Sequence, residues 1–120
     1  DYHVMDAINL DKFKPRVICI ETNWHIPPPI KVVQHHNPNH VWKGDANYGC
    51  SPQAMLELLN NKGYTVVAYT GPDLIAIDRN ILKEKDVTFE KQDDLIGLGV
   101  MNGPIKKTIN WLNHPIFKEC

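Results

Sequence analysis

From Ser51 to Ile77 the order of residues leaves little choice of local structure. Ser51 is a good helix N-cap, and Pro52 suits the first helical position, where a missing N–H costs nothing. Ala54, Met55, Leu58 and Leu59 mark one apolar face, and Gly63 supplies a left-handed stop. A β-rich run, Tyr64 to Tyr69, follows at once. Thr70-Gly71-Pro72-Asp73 is turn chemistry, and Leu74-Ile75-Ala76-Ile77 is a further apolar strand. This pattern predicts a helix leading into an antiparallel hairpin.

Upstream, Val17-Ile18-Cys19-Ile20-Glu21 is a short continuous apolar run with a polar end. Strands covered on both faces, as in parallel sheets, have that signature. A helical crossover connects it to Tyr64–Tyr69, so these two strands should run parallel. Residues from Asp1 to about Phe13 place Val4, Met5 and Ile8 at helical spacing, and Pro15 ends that helix. Between Trp24 and Gly49 lies a connection about twice the usual ceiling of ~12–15 residues. It reads as a functional lid or as a segment with local order of its own, stiffened by Pro27-Pro28-Pro29 as polyproline II. Beyond Asp78, Ile81 and Leu82 should pack down, while Lys83 to Lys91 is charge-rich. Gly97, Gly99 and Gly103 punctuate a loop, and Pro104 to Asn113 suggests a last short helix. The expected organisation is an α/β unit over residues 1–82, with 24–49 as its lid-like loop, and a C-terminal extension over 83–120.

Net charge is −1, which leaves no electrostatic footprint for nucleic acid or an anionic membrane. No apolar run approaches the ~18 residues of a membrane span. Cys19, Cys50 and Cys120 are odd in number and form no C-x-x-C pair, which points to a reducing, cytoplasmic setting. Cys19, inside an apolar run, reads as a small buried hydrophobe.

Open α/β sheets bind ligands beyond the carboxyl ends of their parallel strands. That rule selects Glu21, Asn23 and His25 as candidate catalytic residues, and His35, His36, Trp42 and Tyr48 in the loop as candidate substrate contacts. A carboxylate or imidazole here can take a proton from an acceptor hydroxyl of a small molecule. Plainer roles exist for each: Glu21 as an ion-pair partner, Asn23 as a turn former, Trp42 and Tyr48 as lid packing. His35, His36 and His40, with His25 and Asp45, have the residue types of a metal site. Asn37-Pro38-Asn39 reads as a turn between them and no H-E-x-x-H is present, so no metal site is expected.

Several segments carry a resemblance. Lys14-Pro15-Arg16-Val17-Ile18-Cys19-Ile20-Glu21-Thr22-Asn23 and then Pro27-Pro28-Pro29 are similar to the fifth-strand region of FkbM-like and related uncharacterised methyltransferase-type proteins. Tyr48-Gly49-Cys50-Ser51 leading into Ala54-Met55-Leu56-Glu57-Leu58, then Lys62-Gly63-Tyr64, resembles the stretch that follows. Asp1-Tyr2 resembles what comes after an acidic, glycine-containing motif behind their fourth strand. The match covers residues 1–82. It implies the closing half of a class I, Rossmann-like S-adenosylmethionine-dependent methyltransferase fold, in which a last antiparallel strand slots between its two predecessors.

The departure from that family is as informative. A glycine-rich turn after a first strand and an acidic end to a second strand, which hold the cofactor, have no counterpart here; Gly97-Leu98-Gly99 sits near the end of the chain. With Asp1 rather than Met at its start, the chain reads as a fragment. The implied partner is the missing upstream half of the domain or a second copy, and the isolated chain should be inactive. An exposed apolar edge at Val17–Glu21 invites such pairing, so the chain alone is expected to dimerise, dissolve poorly or be marginally stable. Two readings stay open: the acceptor-side half of a methyltransferase-like enzyme, or a non-catalytic α/β interaction module binding a partner or metal through its His-rich loop.

Overall fold

The computed structural model describes residues 1–88, 92 and 110–120. Among these it forms a small mixed α/β fold with two antiparallel sheets and three helices. The elements are α1 (Tyr2–Ala7), β1 (Val17–Glu21), β2 (Val32–Gln34), α2 (Pro52–Asn61), β3 (Tyr64–Tyr69), β4 (Asp73–Asp78), α3 (Arg79–Glu84) and β5 (Phe117–Glu119), with a 3-10 turn at Trp111–Asn113. No helix among the described residues is long and apolar enough to cross a membrane.

The helix predicted between Ser51 and Gly63 forms for the expected reasons. The Ser51 hydroxyl accepts from the Ala54 N–H at 3.3 Å, and Gly63 takes φ +89° just past the C-terminus. The buried face of α2 includes Met55 and Leu59, which meet Tyr64, Val66, Leu74 and Ala76 of the sheet in the main core. Each of the large side chains buried there stabilises the fold by about 1.5–3 kcal/mol. The turn between β3 and β4 needs Gly71: a Cβ at that residue would sit 2.5 Å from the Trp24 ring, so only glycine lets the turn rest on the indole.

The three-stranded sheet has the order β1-β4-β3. Because β4 is antiparallel to both neighbours, β1 and β3 run parallel, as the crossover argument required. The phase of β1 follows from its two ends. Asp78 N–H donates to Arg16 C=O and Thr22 N–H to Pro72 C=O, each at 3.0 Å. Antiparallel partners alternate between bonded and non-bonded pairs, so Ile18 and Ile20 bond to β4. Val17, Cys19 and Glu21 therefore turn their N–H and C=O groups toward the other edge, which is free of any strand among the described residues.

Several expectations need correction. The N-terminal helix stops at Ala7 instead of running to about Phe13, with Ile8 extended; the Asn9 side chain accepts from the Asp11 N–H at 3.0 Å, a local bond that competes with helix continuation. Strand β1 is not covered on both faces. Ile18 and Ile20 lean on the core, whereas Val17 is 54% exposed and Cys19, on the same face, is exposed rather than buried. The proline run turns back, with Ile30 N–H on Pro27 C=O at 3.2 Å, instead of extending as polyproline II. Asn110 and the 3-10 turn after it are described; the rest of the proposed last helix, and Gly97, Gly99 and Gly103, lie outside the described residues.

The long connection has the local order that was one of its two expected forms. Strand β2 lies within it and pairs with β5, with Val32 opposite Glu119 and Gln34 opposite Phe117. Ile26, Val32, Trp111 and Phe117 form a second, smaller core beneath it. The end of the chain thus serves as a scaffold for the loop.

Candidate functional site

A cleft of about 700 Å³ opens beyond the carboxyl end of β1, lined by Glu21, His25, Trp42, Asp45 and Tyr48 together with the loop backbone. Its volume is within the range of small-molecule sites. Strand β1 delivers Glu21, and the loop supplies the rest.

Asn23 shapes this cleft from behind. It is fully buried, its amide nitrogen donating to Ala46 C=O at 2.7 Å and Tyr48 C=O at 2.9 Å. Its side-chain oxygen accepts from the His25 N–H at 3.1 Å, and its backbone N–H donates to Cys50 C=O at 2.7 Å. One side chain thereby ties the strand end to both limbs of the loop. A buried amide so fully bonded is a positioning residue for its neighbours His25 and Tyr48.

The aromatic side chains are arranged edge to face. Tyr48 meets His25 at a centroid distance of 6.1 Å and Trp42 at 5.8 Å, with interplanar angles of 86° and 71°. Trp42 is 58% exposed, yet its indole N–H is fixed on Asp45 C=O at 2.8 Å, so the ring stays in place beside the cleft. Burial, and then the negative charge of Glu21, push the Tyr48 phenol above its ordinary value, which keeps it a neutral hydroxyl. The Asp45 carboxylate accepts from the backbone and side-chain N–H groups of Asn47 at 3.0 and 3.2 Å, and these bonds hold its pKa below the usual value.

Of the residues selected from sequence, Glu21, His25, Trp42 and Tyr48 meet at this cleft, with Asn23 behind it. His35 and His36 lie elsewhere. They border a shallow depression with His3 and Asn37, where the His3 ring contacts Gln34 C=O at 2.7 Å and stacks edge-on against His36. Asp45 was not among the selected site residues. The signal available for it was its place in Asp45-Ala46-Asn47, where an aspartate closes an Asx turn three residues after a tryptophan. No group of three or more His, Cys, Asp or Glu among the described residues could hold a metal ion.

A second concavity of about 460 Å³ runs along the free edge of β1, between it and α1. Its walls are mainly apolar, with Asp1 and Glu21 also lining it, and Val4 and Ile8 of the flanking helix region are exposed. The described residues contain no glycine-rich strand–turn–helix of the kind that cradles a nucleoside cofactor. Comparison of the chain with protein-family models, with curated proteins and with solved structures finds no match.

Proposed function

We propose that this chain is the acceptor-side half of a Rossmann-like, S-adenosylmethionine-dependent methyltransferase domain, with the cofactor-binding half supplied by a segment that pairs with the free edge of β1. The observation that carries this reading is the strand arrangement. An antiparallel strand, β4, lies between two parallel strands, and a cleft opens at the carboxyl end of one of them. The apolar groove beside β1, with its row of outward-facing backbone groups, supports the same reading, since an uncovered edge of this kind is normally paired or protected. Three free thiols suit a cytoplasmic location.

Within this reading the chain's own residues bind and orient the acceptor. Tyr48 and Trp42 form the walls, Asn23 fixes the loop, and Glu21 stands at the strand end to receive a proton from the acceptor group. The test is transfer of a labelled methyl group by the protein as cells produce it, assayed against a panel of small acceptors. Transfer is expected, and Glu21→Gln is expected to lower kcat/KM by roughly a hundredfold or more, the usual contribution of a general base. A protein that neither binds S-adenosylmethionine nor transfers methyl groups would contradict the proposal. Undiminished turnover in Glu21→Gln would remove Glu21 from the proton-accepting role.

A further inference from the structure

The lining of the cleft has a chemical bias. Two carboxylates, Glu21 and Asp45, border it, and among the described residues no lysine or arginine does. Lys43, the nearest basic residue in sequence, borders an adjoining hollow with His40 and His114 instead. The other described residues that line it are His25, Trp42 and Tyr48, with Gly44 and Ala46 between the rings in sequence. Trp42 is pinned by its N–H with much of its ring surface exposed, and Tyr48 stands across from it edge-on. Rings of this kind attract cations through their quadrupole, and carboxylates add a Coulombic attraction that an anionic or neutral ligand cannot use.

We infer that the cleft at the end of β1 binds an organic cation, a protonated amine or a quaternary ammonium group, seated against the Trp42 and Tyr48 rings and facing Glu21 and Asp45. This rests on the reading of the cleft as the acceptor site and narrows the acceptor to positively charged small molecules. Such an acceptor is an amine that gives up its proton before its nitrogen attacks, or a quaternary ammonium compound that takes the methyl group on a separate hydroxyl, its own nitrogen having no lone pair. A protonated amine would meet Glu21 as the group that neutralises it and accepts its proton. Indole offers the strongest of the aromatic faces for such a contact, which gives a physical use to a tryptophan that the fold leaves more than half exposed.

The experiment compares choline with its neutral isostere, 3,3-dimethylbutan-1-ol, by titration of the full chain, following the Trp42 indole N–H resonance and the heat of binding. Choline is expected to bind and shift that resonance, and the isostere to bind at least about tenfold more weakly. Trp42→Ala and Glu21→Gln should each weaken choline binding roughly five- to thirtyfold, whereas Trp42→Phe, which keeps an aromatic face, should lose less. Both positions are exposed, so an unchanged amide spectrum elsewhere will show that the variants fold. Equal affinity for the two probes, or no choline binding, overturns the inference. If methyl transfer is present while choline fails to bind, the cation inference falls and the proposed function stands. If choline binds by these criteria and no methyl transfer occurs, the reverse holds.

Discussion

Replacing Trp111 with alanine is expected to destabilise the protein by about 3–5 kcal/mol, the cost of emptying a large buried aromatic site. Trp111 is 2% exposed and packs edge-on against Phe117 at 5.7 Å, within the small core that also holds Ile26 and Val32. Two of those partners belong to the long connection, so the loss falls on the segment that carries Trp42 and Tyr48. Chemical denaturation read by far-ultraviolet circular dichroism measures the effect. Trp111→Phe should be milder. It keeps a ring in the core and removes an indole N–H that is buried without a hydrogen-bond partner among the described residues. A loss below about 1 kcal/mol for the alanine variant would mean that the end of the chain does not support the loop.

Asn23→Ala should cost about 2–4 kcal/mol, because two loop carbonyls, those of Ala46 and Tyr48, lose their shared donor. The effect should also reach the cleft. With the amide gone, the Tyr48 carbonyl and the His25 N–H both lose the side chain that holds them beside Glu21. Any ligand affinity of the site should therefore fall together with stability. Asn23→Asp offers a sharper version, since a carboxylate would replace the donating amide with an oxygen aimed at carbonyl oxygens. Retention of wild-type stability in both variants, measured by urea midpoint, would contradict the role given to Asn23.

The parts of this fold that were legible in the sequence are those set by local chemistry. Helix α2 could be read because its cap, its proline, its apolar face and its terminal glycine all agree. The β3–β4 hairpin followed from turn residues between two apolar runs. The direction of β1 relative to β3 came from the helical connection between them. Strand β2 was hidden for a physical reason: it has three residues, too few for a period, and its partner β5 lies at the other end of the chain. The same distance in sequence concealed Trp111 as the keystone of a second core.

Strand β1 shows where sequence and structure pull apart. Its unbroken apolar run suits an interior strand, but the described residues cover only the face bearing Ile18 and Ile20. Val17 and Cys19 look outward from the opposite face of the sheet. The candidate site was readable to the extent that it depends on the strand end, which located Glu21, His25, Trp42 and Tyr48 together. The separation of His35 and His36 from the cleft was not readable, because it depends on β2, the strand hidden in the sequence, which they follow directly and which ends beside His3.

In the working protein, we propose, the sheet continues past β1. Amide hydrogen exchange across residues 17–21 tests it directly. In the isolated 120-residue chain as a monomer, Ile18 and Ile20, bonded to β4, should exchange slowly, while Val17, Cys19 and Glu21 should exchange fast. In the protein as cells produce it, the account predicts slow exchange at all five positions, because another strand occupies the free edge. Fast exchange persisting at Val17, Cys19 and Glu21 in that native protein would contradict it.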